Sequence, residues 1–239
     1  SVLSSTELGI SIYDLARRTL ASLTPPGIEA MWPRWAPDGR RVAFDSLKSG
    51  IRTLSWQRAD GSAPPENLAR EAVCPGSWSP DGRELAVPKD DGIWVFDVTI
   101  DPPRLRPVVQ PPVFAAWPAF SPDGRWLLYA GGTNNDQVYL QPYPGPGPRL
   151  QVSVENGRNP AWNPNGREIF FLADDSTRSQ MMSVSVSLGA TATLGTPRSL
   201  FEIADLTMGC FPVNCYSVSP DGQHFYATRP VKTDPPPPV

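Results

Sequence analysis

The sequence predicts an all-β fold made of repeated four-stranded sheets, and three observations predict it. A Pro-Asp-Gly or Pro-Asn-Gly turn recurs five times, each turn is followed by a short apolar run, and most of those runs are followed by a further apolar strand. The five stretches are PRWAPDGRRVAF at 33–44, GSWSPDGRELAV at 76–87, PAFSPDGRWLLY at 118–129, PAWNPNGREIFF at 160–171 and YSVSPDGQHFYA at 216–227. Their glycines, Gly39, Gly82, Gly124, Gly166 and Gly222, are separated by 43, 42, 42 and 56 residues. A period of this length, with no helical segment between units, is the pattern of a β-propeller in which each repeat is one blade.

Each part of the repeat has a physical reason. Proline presets φ for the second position of a type I turn, the acid or amide follows it, and glycine takes the left-handed position that closes a hairpin. Asp38, Asp81, Asp123, Asn165 and Asp221, with the five glycines, are therefore turn formers. The runs RVAF, ELAV, WLLY, EIFF and HFYA are rich in branched and aromatic residues, as a buried strand requires. Trp35, Trp78, Phe120, Trp162 and Val218 form one column before the turns and are expected in the core.

Third strands follow at 51–60, 92–100, 137–145 and 181–189, and polar stretches such as PPENLAR and PRLQVS supply fourth strands. The fifth hairpin has no such continuation, because TRPVKTDPPPPV follows it and its prolines cannot join a ladder. GISIYDLARRTLASLT, at 9–24, looks like a third and fourth strand without a hairpin. The expectation is one domain of five blades, at about 25–70, 71–112, 113–155, 156–204 and 205–230, with residues 5–24 completing the fifth and a proline-rich tail at 231–239. The alternatives are an incomplete ring, which favours domain swapping, or six blades if the insertion at 172–215 hides extra strands.

The tract WSPDGR, followed by an apolar strand and then by IWVFD, resembles the TolB-type, WD-repeat-like propeller unit. DLARRTLASLT, LQPYPGPGPRLQVS, NPAWNPNGREIFFL and GTPRSLFEI are similar to the propeller that follows the kinase domain in bacterial eukaryotic-like Ser/Thr protein kinases. The resemblance covers nearly the whole chain. It implies a bacterial parent, an extracytoplasmic (periplasmic or cell-surface) position, and a sensor or binding role. Members of that family carry a further hairpin upstream and a further strand downstream, so the resemblance also implies a segment cut within two blades.

Composition narrows the function. Lys and Arg number 21 against 24 Asp and Glu and are scattered, which argues against nucleic acid. No apolar run is long enough to span a bilayer, and the first 20 residues do not read as a secretion signal. Of the three cysteines, Cys210 and Cys215 are close enough to bridge, but small buried thiols are the expectation for all three. The single histidine, His224, has no nucleophile beside it in sequence, and no G-x-S-x-G elbow occurs. No cofactor or metal is expected.

Acidic loop residues, Glu29, Asp90, Asp91, Asp174 and Asp175, leave a glycosidase-like hydrolase as the catalytic alternative, against solvated loop charges as the plainer reading. The residues leading into each innermost strand come up at the channel mouth, where propellers bind ligands. Trp32 and Trp117 share that register with Pro75, Asn159 and Cys215, and Arg34 and Arg158 stand beside them. The tryptophans suit stacking on a sugar or peptide ring and the arginines a carboxylate, or the tryptophans are wedges between blades. The expected activity is non-catalytic recognition of a protein, peptide or small ligand, by a monomer or a domain-swapped oligomer. A fold fragment with no function of its own is the remaining alternative.

Overall fold

The computed structural model describes residues 2–4, 9–70, 74–110, 114–133, 136–174, 179–203 and 216–227, of which 2–4 are described by backbone only. Their regular structure is strand throughout, arranged in six antiparallel sheets. The N-terminal sheet holds Val2–Ser4, Gly9–Asp14 and Thr19–Ser22. The first blade holds Glu29–Trp35, Arg41–Lys48, Ile51–Arg58 and Glu66–Ala69, and the second Ser77–Trp78, Glu84–Lys89, Gly92–Asp97 and Arg104–Val109. The third holds Phe114–Phe120, Trp126–Gly132, Gln137–Pro142 and Leu150–Gln151. In the fourth, Arg158–Trp162, Glu168–Asp174 and Ser179–Ser187 are followed by Thr193–Leu194 and Arg198–Ile203. Tyr216–Val218 and Phe225–Ala227 form the C-terminal hairpin.

The core lies between sheets, not within one centre. Successive residues of a strand point to opposite faces, so Leu127 and Tyr129 pack toward the second blade while Leu128 and Ala130 pack toward the fourth. The same division separates Ile169 and Phe171 from Phe170 and Leu172. This is why the second strands read as continuous apolar runs: both faces are covered. One apolar cluster sits at each junction in chain order, from Ile10, Leu23, Ala30, Val42 and Phe44 at the N-terminal end to Phe170, Leu172, Met181 and Tyr216 at the other.

The repeated turns close as their composition dictates. Gly39, Gly82, Gly124, Gly166 and Gly222 all have φ between 65° and 72°. Asp81 and Asp123 each accept a hydrogen bond from the serine two residues before (2.6 Å) and from the backbone N–H two residues after (3.1 Å). Asp221 is held in the same way by Ser219 and the N–H of Gln223. Asp38 and Asn165 lack the serine donor and accept from the following backbone, at Arg40 and Arg167, and Asp38 also accepts from Arg41 Nη2 at 3.4 Å. The Ser79 hydroxyl and the Arg83 N–H hold the Asp81 carboxyl below its ordinary pKa of 3.8.

Two expectations are corrected, and the six-blade alternative gains no support among the described residues. The ladder between Phe225–Ala227 and Gly9–Asp14 is not formed among the described residues, because Val2–Ser4 occupies that edge, with Leu3 opposite Ile10 and Ser4 opposite Gly9. Glu84–Lys89 pairs with Gly92–Asp97 in the same sense, Lys89 opposite Gly92 and Pro88 opposite Ile93, so Val2–Ser4 stands in the place of a second strand. The insertion supplies no sheet of its own among the described residues. Thr193–Leu194 and Arg198–Ile203 both pair with the nine-residue strand Ser179–Ser187 and split the outermost position between them.

The second correction concerns the aromatic column. Trp78, Phe120 and Trp162 are buried, whereas Trp35 is 44% exposed and Val218 is half-buried. Trp78 stacks on Trp56 of the preceding blade, and Trp162 donates its indole N–H to the Ala119 carbonyl of the preceding blade. Trp35 has before it only the N-terminal sheet, whose described strands include no innermost one. Residues 204–215 and 228–239, with Cys210, Cys215 and the proline-rich tail, lie outside the described residues, as does Asp175.

Candidate functional site at the channel mouth

The innermost strands begin at one end of the blades and run to the Pro-Asp-Gly turns at the other. At their start the same backbone device recurs. Trp32, Trp117 and Asn159 have φ of 54°, 52° and 52°, each directly before a proline. The ladders skip at these points, between Met31 and Arg34, Ala116 and Ala119, and Arg158 and Ala161. A bulge solves two problems at once. It leaves Pro33, Pro118 and Pro160 outside the ladder, where their missing N–H costs nothing, and it turns the strand at the mouth. A left-handed tryptophan is an uncommon conformation, worth on the order of 1–3 kcal/mol, and it persists only where neighbours fix it.

In the second blade, Gly76 stands in the proline column, and its N–H donates to the Ala86 carbonyl at 3.0 Å. A side chain there would meet Pro118 of the next blade at 2.5 Å and the Ala86 carbonyl at 2.7 Å, so only glycine fits. Hydrogen bonds cross every junction from the first blade onward. Arg34 Nε donates to the Gly76 carbonyl (2.8 Å), the Phe120 N–H to Ser77 Oγ (3.1 Å), Trp162 Nε1 to the Ala119 carbonyl (3.2 Å), and the Tyr216 hydroxyl to the Asn159 carbonyl (2.9 Å).

These contacts separate the five predicted ligand residues. Trp117 is 6% exposed and packs with Trp126 and Trp162 between the third and fourth blades, which is the wedge arrangement. Asn159 is buried. Arg158 is held by Asp174, Nε to Oδ2 at 2.5 Å and Nη2 to Oδ1 at 3.0 Å, and also reaches Asn159 Oδ1 at 3.3 Å. Trp32 and Arg34 remain half-buried.

Residues that the sequence reading passed over complete this end. Asp45, 2% exposed, pairs with Arg52 at 2.7 Å, and burial nevertheless raises its pKa above the ordinary value. Cys74 lies within electrostatic reach of Asp45, Arg52 and Arg34; burial, then the Asp45 charge, pushes its thiol up to about 12, so it is protonated and unreactive at neutral pH. Asp136 is raised by burial, against the pull of Arg158. Of the predicted loop acids, Asp90 pairs with Lys89 at 2.8 Å and shares a tight left-handed turn with Asp91 (φ 50° and 60°), while Glu29 is exposed at the start of its strand. His224 is exposed and stands 3.6 Å from Asp221 at the opposite end of its hairpin. Only the run of residues before each proline pointed to this neighbourhood; the Asp45, Arg52 and Cys74 grouping had no spacing signal, because it joins two repeats.

Depressions of about 770 and 340 Å³ lie away from the mouth, the first between two turns at Asp123 and Asn165, the second against Met181, Phe201 and Phe225.

The geometry defines a β-propeller fold, and the solved structures it resembles include TolB-type propellers. The chain superimposes on TolB from Acinetobacter baumannii with a TM-score of 0.68 at 17% identity, covering 92% of this chain and 54% of that one. A TolB-type structure from Agrobacterium tumefaciens gives 0.72 at 18% identity, over 90% of this chain and 80% of that one. In sequence, an uncharacterized protein of Agrobacterium fabrum is 27% identical over 190 residues, covering 74% of this chain and 62% of its own length. An uncharacterized peptidase of Bacillus subtilis, YuxL, is 31% identical over 108 residues, 40% of this chain and 16% of its own. The chain thus spans less than two thirds of either relative. No family model matches it.

Proposed function

We propose that this chain is a non-catalytic recognition module that takes a peptide or small ligand at the channel mouth. The observation that supports this most is the left-handed residue before the inner-strand proline at Trp32, Trp117 and Asn159, a costly conformation repeated at one end of the molecule. Backbone strain of this kind concentrates where a fold positions ligands. Three of the carboxylates that a hydrolase could use are engaged there: Asp174 by Arg158 and Ser179, Asp45 by Arg52, Asp90 by Lys89. The kinase-linked propeller resemblance supports a bacterial, membrane-anchored parent with this domain outside the cytoplasm. The match to YuxL supports a second parentage, a peptidase whose catalytic part lies elsewhere.

The test is a titration of the chain with short peptides and oligosaccharides, read at the indole N–H of each tryptophan. A mouth site moves Trp32 and is lost in Trp32→Ala with the fold intact by circular dichroism. Binding that leaves Trp32 unmoved sinks the mouth reading.

A further inference from the structure

We propose that Arg34 anchors a carboxylate of the ligand that enters the mouth, an inference that rests on the recognition reading above. Arg34 leaves the bulge at Trp32 and Pro33 with its Nε committed to the Gly76 carbonyl of the next blade at 2.8 Å. That bond fixes the plane of the guanidinium and orients the fork formed by its two remaining nitrogens. No ion pair involves Arg34 among the described residues. The acid closest by environment, Asp45, is matched by Arg52 at 2.7 Å, and the Cys74 thiol between these groups is neutral. The group Arg34, Arg52, Asp45 therefore carries one uncompensated positive charge in a half-buried place.

A charge withdrawn from water without a counter-charge is costly, and burial draws the Arg34 pKa down from 12.5 to about 10, which leaves it cationic at neutral pH. A fixed planar fork with one net charge matches a carboxylate, which accepts two parallel hydrogen bonds. Arg158, the residue of matching appearance in the fourth blade, already has such a carboxylate in Asp174. Arg34 shows the same chemistry with no acid paired to it among the described residues.

The carboxylate has two sources, the end of a peptide or a small organic acid, and the experiment separates them. The full chain, labelled with nitrogen-15, is titrated with trialanine, trialanine amide, acetate and inorganic phosphate, following the Nε–Hε signal of Arg34 and the indole of Trp32. Arg34→Lys assigns the signal. The expected result is that trialanine moves Arg34 and that the amide binds about tenfold more weakly, the loss of one charge-assisted contact. Acetate moving Arg34 as strongly as trialanine keeps the anchor and assigns a small acid as its source. Arg34→Gln, which retains a donor for Gly76, is expected to lose the same tenfold without unfolding. Phosphate moving Arg34 while the carboxylates do not overturns the inference. Equal binding of acid and amide with Trp32 shifted overturns it and leaves the mouth reading standing, whereas no shift at either residue overturns both.

Discussion

The junction between the third and fourth blades and the junction between the N-terminal sheet and the first blade are built from the same repeat but by different means. The former buries Trp117, Trp126, Leu128, Leu140, Trp162, Ile169 and Phe171 among other apolar side chains. The latter buries Ile10, Leu23, Ala30, Val42 and Phe44, and then turns polar. Ser46 follows Val42 and Phe44 at a spacing of two and so shares their face. It hydrogen-bonds to Thr53 Oγ1 at 2.9 Å and Ser55 Oγ at 2.8 Å, both of which reach Asn67. Gln57 Oε1, buried beside them, has no partner among the described residues. The inner junction draws on area, which is non-directional, and the outer one on paired hydroxyls, whose net contribution is about 1 kcal/mol each. Repetition of sequence thus does not mean repetition of strength, and local opening should begin at the N-terminal sheet.

The largest test of this contrast is Trp162→Ala, expected to cost about 3–5 kcal/mol in urea unfolding. A loss below about 1 kcal/mol would break the claim that the inner junction rests on its aromatic packing. Next comes Ser55→Ala at the outer junction, which takes one hydrogen bond from each of Ser46 and Asn67, leaves both on Thr53, and is expected to cost about 1 kcal/mol. Hydrogen exchange should show that loss in residues 9–22 before the third blade. Trp35→Ala, in the same column as Trp162, should lie within about 0.5 kcal/mol of the parent, because its ring has no preceding inner strand to pack on. An equal effect at both tryptophans would mean that Trp35 is covered.

The smallest effect is electrostatic. Hydrogen bonds to the turn carboxylates of Asp38, Asp81 and Asp221 place their folded pKa values below the ordinary 3.8. Their contribution is complete above the unfolded value and is lost as pH falls through the folded ones. Acid titration by NMR should therefore find all three below 3.8 in the folded chain, with a modest fall of stability below about pH 4 that favours neither of the two junctions.

The fold was legible because its signals are local. A Pro-Asp-Gly turn, a glycine at positive φ and a doubly buried run each act within a dozen residues, so the five hairpins and their spacing could be read directly. What escaped was decided between repeats. Val2–Ser4 is too short to announce itself, yet it takes the edge of Gly9–Asp14. Trp32 and Trp117 share the Trp-Pro step and nearly the same φ, 54° and 52°, but one is half-buried and the other lies in the core, because a tryptophan's exposure depends on the neighbouring blade. The arginines were legible as residues and not as partners: Asp174, sixteen residues from Arg158, answers it, and nothing in the spelling shows that Asp45 belongs instead to Arg52.

Gly76 and Pro118 have a consequence for how such a chain can change. The ring of Pro118 occupies the space where Gly76 would carry a side chain, and Arg34 reaches the Gly76 carbonyl from the other side. The second repeat is therefore a keyed part, fitted on one flank to the first and on the other to the third. Exchange of the second and fourth repeats would set proline against proline at one seam and leave a vacancy at another. Duplication and shuffling, the usual way in which repeat arrays grow, are thereby restricted to the seams without this lock, and the order of the blades becomes an inherited property in its own right.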